Sequence, residues 1–184
     1  GEVGPAFSVP AAADFVEVPD PPDGSLDFGT GDFSIDAWIR TTSTGTATIV
    51  DKREFFSPNN PLGYSLALLS GQLAFQLGDA GTFVGNKVGV HSNINDGIWH
   101  HVAVTVKNRA VGGGNLYVDG VNVLNFSTAL TAGGDISNAG DLRIGQRQTF
   151  SSPVAFAGAI DELEIFNREL DSTEVKAIFI ADSL

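Results

Sequence analysis

The sequence predicts an all-β fold, a two-sheet antiparallel jelly-roll sandwich with one short C-terminal helix. Short segments in which apolar and polar residues alternate recur along the chain, and Gly, Asn, Asp and Pro separate them. The 22 glycines, the 13 phenylalanines and a hydrophobic share of 42% are typical of a turn-rich β protein. Because 184 residues are enough to bury one sizeable core, we expect a single domain over residues 1–184.

Alternation at period two identifies the individual strands. In residues 33–40, for example, apolar side chains occupy every second position, as in a strand with one buried face. Two hairpins are predicted at Ser70-Gly71 and Asp119-Gly120, because these residue pairs suit a two-residue turn. The predicted strands are 14–18, 33–40, 46–52, 64–69, 72–77, 98–106, 115–118, 121–126, 141–144 and 159–166.

A single helix is predicted over residues 171–181. Asp171 is placed to cap it, and Glu174 is placed to reach back to the capping residue, which together make a capping box. The apolar stripe of this helix consists of Val175, Ile178 and Phe179.

Three long polar loops are predicted, over residues 19–32, 54–63 and 127–141. Binding sites of β-sandwiches usually lie on such loops or on one sheet face. The run Asp51-Lys52-Arg53 closes a predicted strand just before the second loop, so we interpret it as a solvated strand end.

The charge of the chain excludes several classes of function. A formal net charge of −12 repels nucleic acid phosphates and anionic membranes, so we expect no nucleic acid partner. No apolar run is long enough for membrane insertion, and the absence of Cys excludes disulfides and thiolate chemistry. A divalent cation, a neutral or basic partner, and plain solubility all remain compatible with the acidic composition.

Four stretches, in this order, carry a resemblance to a known family: DFVEVPD, GDFSIDAWIR, DGIWHHVAVTV followed by LYVDG, and LRIGQ with FAGAIDELEIFNRELDSTEV. The chain resembles the laminin-G-like domains of the concanavalin A-like lectin/glucanase superfamily, which are relatives of pentraxins. The likeness covers Phe7 to Ala181, with one departure at VPAAAD, where the family tends to have Phe-x-Gly. It implies a jelly roll that serves as a non-catalytic extracellular binding or adhesion unit, often with bound calcium.

Asp161 lies in the stretch IDELEI, where strict alternation places it on the side of Leu163 and Ile165. An ionised carboxylate on an apolar face needs a cation, backbone N–H donors or a position beyond the core edge. Ca²⁺, which prefers oxygen ligands, is one solution, and hydrogen bonds from a turn are another. The resemblance adds that this Asp often helps to bind a structural calcium. The calcium ligands that we therefore expect are Asp161, Asp14, Asp32 and the carbonyl of Gly31.

Glu162 and Glu164 are the candidates for catalysis in the same stretch. Retaining glucanases of the superfamily need a nucleophile and an acid that project from one face. The preceding Glu of their pattern is absent here, because Ile160 and Ala159 occupy its place. We therefore expect both glutamates to be solvated surface acids and the protein not to be an enzyme.

Trp38 is the candidate for sugar contact. Alternation places Asp36, Trp38 and Arg40 together, opposite the apolar face of their strand. An aromatic plane between an acid and a base suits a sugar ring, although core packing also accounts for a Trp in this strand. His100 and His101 point to opposite faces of one strand and are expected to be structural, while His91 gives no signal.

The predicted function is a calcium-stabilised, carbohydrate- or protein-binding adhesion module of a secreted or surface protein. Its expected partners are a glycan or an extracellular protein, together with calcium. Two alternatives stay open: a structural or assembly domain without a small ligand, and a glycan-cleaving sandwich.

Overall fold

The structure is a computed structural model that describes residues 6–9, 14–57, 60–79, 83–89, 93–107, 113–126, 134–147 and 154–182. These residues form twelve strands and one helix. In chain order they are β1 (Phe7–Val9), β2 (Val16–Val18), β3 (Phe33–Thr41), β4 (Thr46–Ser57), β5 (Asn60–Leu69), β6 (Gln72–Gly78), β7 (Phe83–Val88), β8 (Trp99–Val106), β9 (Gly114–Val118), β10 (Val121–Asn125), β11 (Leu142–Ile144), β12 (Gly158–Phe166) and α1 (Ser172–Asp182).

The strands make two antiparallel sheets, as the sequence predicts, and each sheet has six strands. The first sheet has the order β1-β12-β3-β8-β9-β10, and the second has the order β2-β11-β4-β5-β6-β7. Alternate side chains of each sheet meet in one core, because each strand has an inner face toward the other sheet and an outer face away from it. Phe33 and Ile35 of the first sheet and Leu66 and Phe75 of the second are all at most 1% exposed.

The main difference from the predicted strands is the length of β4 and β5. They stay paired from Thr46↔Leu69 as far as Ser57↔Asn60, so strand replaces most of the loop predicted over 54–63. The charged residues in this part of β4 hide the alternation that identifies other strands. β1 and β7 were not predicted either: β1 has only three residues, and β7 contains Gly85 and Asn86.

Both predicted two-residue turns are present. Ser70 and Gly71 have φ values of 51° and 80°, and Asp119 and Gly120 have φ values of 50° and 70°. Positive φ at both central residues is the conformation whose twist matches that of the flanking strands. These turns fix the register of the hairpins β5–β6 and β9–β10.

The predicted capping box starts α1. Asp171 Oδ1 accepts hydrogen bonds from the N–H groups of Thr173 at 2.7 Å and Glu174 at 2.9 Å, and Glu174 Oε2 accepts one from the N–H of Asp171 at 2.9 Å. The helix packs on the outer face of the first sheet through Val175 and Ile178. Within the described residues, no helix has the length and apolar character needed to span a membrane.

Asp171→Ala is expected to destabilise the domain by about 1 kcal/mol, because two N–H groups of the first turn lose their acceptor. For a domain of this size, the melting temperature should fall by about 2–4 °C. Thermal melting followed by circular dichroism measures the shift. Asp171→Ser, which keeps an acceptor, is the control, and equal losses in both variants would contradict the capping role.

Candidate functional site

A β-bulge in β12 determines where its carboxylates point. Asp161 pairs with Trp38 and Glu164 pairs with Asp36, so β12 has one more residue between the two pairs than β3 has. Glu162, inside the bulge, has a φ of 46°, which is unusual for a residue other than Gly. The extra residue reverses the direction of the side chains that follow it.

The prediction that Asp161 shares a face with Leu163 and Ile165 is therefore wrong. Leu163 and Ile165 pack against the core, whereas Asp161 lies across from Trp38 on the outer face. Asp161 is 5% exposed, and its Oδ1 accepts a hydrogen bond from the N–H of Glu162 at 3.1 Å. The N–H of Glu162, inside the bulge, thus donates to this carboxylate. Hydrogen bonding from a turn is one of the two alternatives to which the sequence pointed for Asp161.

The predicted calcium ligands do not come together as one set. Asp32 and Gly31 precede β3, and Asp32 is six residues before Trp38, the partner of Asp161. Six residues of strand span roughly 20 Å, so Asp32 and Asp161 cannot bind one ion. Asp14 lies near β1, the strand that pairs with β12. No group of three or more His, Asp or Glu among the described residues is arranged to hold a metal.

Helix α1 covers the strip that was predicted to contact sugar. Trp38 is 3% exposed, and its ring stacks on Phe179 with centroids 5.7 Å apart. Asp36 is 1% exposed, whereas Arg40 is exposed and its guanidinium lies 5.0 Å from the centre of the Trp99 ring. Asp36, Trp38 and Arg40 thus form no open sugar-binding surface, and Trp38 packs against the helix instead.

Asp36 and His101 form a buried pair beneath α1. Both are 1% exposed, and His101 Nε2 lies 3.6 Å from Asp36 Oδ2. Burial raises the pKa of Asp36, and the interaction with His101 partly opposes this shift. Burial and then the charge of Asp36 raise the pKa of Glu164. Glu162 and Glu164 are both exposed, as predicted.

His100 points away from this pair and has a structural role, as predicted. Its Nδ1 lies 2.8 Å from Asp119 Oδ2, and its Nε2 lies 3.3 Å from Asp96 Oδ1. The hydrogen bond with Asp119 is the main cause of a raised pKa of His100. Asp119 belongs to the turn between β9 and β10, so His100 ties that turn to β8. The third histidine, His91, lies outside the described residues.

The run Asp51-Lys52-Arg53 is buried, so its interpretation as a solvated strand end is wrong. Lys52 is 0% exposed, and its Nζ lies 2.9 Å from Asp20 Oδ1 and 2.9 Å from Asp27 Oδ1. The same Nζ donates a hydrogen bond to the carbonyl of Asn138 at 2.8 Å. We call this arrangement the ammonium cage. The run is buried because it lies within β4, between the paired strands β5 and β11, and not at the end of the strand.

Hydrogen bonds around the ammonium cage hold a loop against β4 and β5. Asn138 Nδ2 donates to the carbonyls of Lys52, Leu62 and Ile136, each at 3.3 Å. At Gly63, where φ is +116°, a Cβ would lie 2.0 Å from the carbonyl oxygen of Lys52. Only Gly therefore permits this close approach of the two strands and the loop.

Lys52→Met is expected to destabilise the domain by about 3 kcal/mol, because Asp20 and Asp27 lose their cation. This is the lower end of the range for broken buried pairs, since the two carboxylates keep 26% and 21% exposure. The melting temperature should fall by about 6–12 °C.

Lys107→Met is the matched control for this prediction. Lys107 is 63% exposed and pairs with Glu169 at 3.1 Å, so its loss should cost less than about 1 kcal/mol. Urea unfolding of both variants gives the two free energies. Similar values for Lys52→Met and Lys107→Met would show that the ammonium cage contributes no more than a surface ion pair.

A polar pocket of about 230 Å³ lies on the outer face of the second sheet. Thr48, Ala67 and Ala74 lie opposite one another on β4, β5 and β6, and their small side chains leave a depression in the sheet. Ser65 and Gln76 pair in the next row, at one side of this depression. We call it the face pocket; its lining includes Thr48, Arg53, Ser65, Ala67, Gln76 and Arg147.

Some polar groups that line the face pocket have hydrogen-bond partners within the protein, and others have none among the described residues. Arg53 donates through Nε to Asp51 Oδ2 at 3.0 Å, through Nη2 to the same oxygen, and through Nη1 to Gln76. Thr48 Oγ1 and Arg147 Nε are both buried and have no hydrogen-bond partner among the described residues. Two unsatisfied polar atoms that line one pocket favour a ligand there.

Few features of the sequence indicate the face pocket. Thr46 and Thr48 alternate with Ala47 and Ile49 at the start of β4, which marks a polar outer face. Arg147, however, is more than 90 residues from Thr48 in sequence. Its backbone N–H donates to the carbonyl of Val154 at 2.9 Å, an interaction that no local pattern predicts.

Comparison with family models decides the family. The model described as "Concanavalin A-like lectin/glucanases superfamily", a laminin-G-like model, matches residues 11–176. The chain belongs to this superfamily. Part of it is also 33% identical, over 91 residues, to the rat and mouse proteins named "Sushi, von Willebrand factor type A, EGF and pentraxin domain-containing protein 1". The match covers 47% of this chain and 2% of each relative.

Several solved structures share the fold of this chain at low sequence identity. The binding domain of botulinum neurotoxin DC, in complex with rat synaptotagmin II, matches 98% of this chain with a TM-score of 0.66 and 17% identity. A Trypanosoma rangeli sialidase in complex with 2,3-difluorosialic acid matches 84% with a TM-score of 0.62 and 17% identity. The matches cover 46% and 23% of those chains, so they support the laminin-G-like fold alone.

Proposed function

We propose that this laminin-G-like domain is a non-catalytic carbohydrate-binding module of a secreted or cell-surface protein, and that the face pocket holds the sugar. The observation that carries the proposal is the pair of unsatisfied polar atoms, Thr48 Oγ1 and Arg147 Nε, in one pocket on a sheet face. Buried polar atoms without partners are costly, and a bound hydroxyl or charged group would satisfy them.

The lining of the face pocket suits a sugar. Side chains of Ser65, Gln76 and Thr48 offer hydroxyl and amide groups, while Ala67 and Ala74 provide small apolar surface between them. Sugar-binding sites need such a combination of oriented polar groups and apolar patches. Two proteins with similar structures are themselves described with carbohydrate ligands. Entry of botulinum neurotoxin type C depends on ganglioside molecules, and the sialidase was seen with a sialic acid derivative.

The same lining supports a role without catalysis. Glycoside hydrolysis requires a pair of carboxyl groups on either side of the scissile bond. The described residues that line the face pocket include neither Asp nor Glu. Glu164 is on the outer face of the other sheet, opposite Asp36, so it is remote from any sugar in the face pocket.

Protein contact is the second candidate function. Val121 on β10, the edge strand of the first sheet, is 64% exposed, and Ile180 on α1 is 48% exposed. Exposed apolar side chains of this kind are typical of protein interfaces when they cluster. One structural neighbour is described in complex with a protein, synaptotagmin II.

Ala67→Leu is expected to abolish glycan binding, because the larger side chain fills the floor of the face pocket without changing its charge. A glycan array, run with calcium and with chelator, compares this variant with wild type. Ala177→Leu is the control, since Ala177 is exposed on α1 and far from the pocket. Wild type and Ala177→Leu should bind the same glycans.

Two outcomes of this experiment would contradict the proposal. Silence of wild type in both conditions would favour the protein-contact function instead. Release of reducing ends from a β-glucan by wild type, abolished by Glu162→Gln or Glu164→Gln, would show that the protein is an enzyme.

Calcium binding is a further part of the proposal, supported by the resemblance and by the net charge of −12. Asp161 lies in β12, and Asp14 lies near β1, the strand that pairs with β12. These two residues are therefore the candidate ligands. Asp32 and Gly31 lie too far from Asp161 along β3 to share an ion with it. Oxygen ligands from carboxylates and carbonyls are those that Ca²⁺ prefers.

Saturating calcium is expected to raise the stability of wild type by about 2.7 kcal/mol at a hundred times its Kd, if it binds only the folded state. The melting temperature should rise by about 5–10 °C. Asp161→Asn should lose most of this response, and Glu162→Gln, an adjacent loss of the same charge, should keep it. Equal melting of wild type in calcium and in chelator would contradict calcium binding.

A further inference from the structure

We infer that the face pocket takes a single anionic group, the carboxylate of an acidic sugar, and that Arg147 is its main partner. This inference rests on the proposed function, because it names the class of sugar that the pocket holds. It is carried by the charges of two arginines and by the positions of two unsatisfied atoms.

The two arginines of the face pocket are not equivalent. Arg53 is 2% exposed and forms an ion pair with Asp51, which is 0% exposed, so its charge is neutralised within the protein. Arg147 forms no ion pair within 4.0 Å among the described residues. The pocket therefore carries one uncompensated positive charge, in a protein whose net charge is −12.

The environment of Arg147 favours an anion over a neutral group. Burial, together with the charge of Arg53, lowers the pKa of Arg147, and the charge of Asp51 opposes this shift only in part. A negative group would offset both effects, because it supplies the opposite charge and a hydrogen-bond acceptor at the same place. A guanidinium matches a carboxylate particularly well, since two parallel N–H groups can face its two oxygens.

Thr48 supplies a second contact for the same ligand. It is 1% exposed and lines the face pocket, and its Oγ1 has no partner among the described residues. A hydroxyl donates to a carboxylate oxygen or accepts from a sugar hydroxyl. Thr48 therefore suits either an oxygen of the acid or the hydroxyl beside it.

The charge of the whole domain limits the ligand to one anionic group. A net charge of −12 repels a polyanion through each of its many charges along the protein surface, so the single charge of Arg147 is not enough to hold a heavily sulfated chain. A glycan with one carboxylate feels little of this repulsion at physiological salt, because charges beyond about 8 Å are largely screened. The geometry thus points to a mostly neutral glycan with one acidic residue.

Binding to matched pairs of glycans tests this inference. The glucuronate-terminated and glucose-terminated oligosaccharides differ only in the carboxylate, and a sulfated and an unsulfated oligosaccharide differ only in the sulfate. A sialylated and a desialylated oligosaccharide differ by the whole acidic sugar, and heparin is the polyanion. Isothermal titration calorimetry measures Kd for each. The carboxylate-bearing member of a pair should bind wild type at least about tenfold more tightly than its neutral twin.

Arg147→Gln should remove this preference, so that the acidic and the neutral member of each pair bind the variant with affinities that agree within about twofold. Arg147→Lys, which keeps the charge but loses the two parallel N–H groups, should retain part of it. Arg143→Gln is the matched control for charge, because Arg143 pairs with Glu17 at 2.9 Å and does not line the pocket. An equal loss in Arg143→Gln and Arg147→Gln would overturn the inference, because it would show a general effect of net charge.

The remaining outcomes separate this inference from the proposed function. Equal binding of acidic and neutral twins, blocked by Ala67→Leu, would overturn the inference and leave a neutral-sugar module. Tighter binding of heparin or of the sulfated oligosaccharide than of the carboxylate-bearing oligosaccharides would also overturn it.

If no oligosaccharide binds, free glucuronate is titrated while the chemical shifts of the backbone amides of Thr48, Ser65 and Gln76 are followed by NMR. Shifts in wild type that Arg147→Gln lacks would support the anion site without the lectin function, and no shifts would refute both.

Discussion

The ammonium of Lys52 links parts of the chain that are far apart in sequence. Its two carboxylate partners come from the segment before β3, and its carbonyl partner, Asn138, comes from the segment before β11. A buried cation is stable only when such partners surround it, so the position of Lys52 constrains both segments. Because side chains alternate along β4, an inward Lys52 also directs Asp51 and Arg53 outward, toward the face pocket. The core and the candidate binding site thus depend on the same stretch of one strand.

The two outer faces of the sandwich have different roles. On the first sheet, α1 covers Trp38, Asp36 and His101, and the aromatic contact between Trp38 and Phe179 closes that face. On the second sheet, small residues leave a depression with polar walls. A charged or aromatic residue on an outer sheet face is therefore not by itself evidence of a binding site in this fold. Whether a ligand can reach the residue depends on whether a helix or loop packs over that face.

Local patterns were enough to predict most strands, both two-residue turns and the capping box at Asp171, since each depends on residues close in sequence. They failed where a distant part of the chain decides the outcome. Lys52 looks like a solvated lysine until Asp20, Asp27 and Asn138 are brought beside it. Arg147 looks like an ordinary loop residue until β4 and β5 lie below it. From its sequence Trp38 suits both sugar contact and core packing, and only the docking of α1 decides between them.

The bulge at Glu162 has a consequence for comparing relatives. One additional residue moves every later side chain of the strand to the opposite face of the sheet, although the sequence of the motif is unchanged. Two homologues with the same Ile-Asp-Glu stretch but a different number of residues before the next apolar position will then place different carboxylates on the same face. Matching such acids by motif alone assigns them to the wrong structural positions.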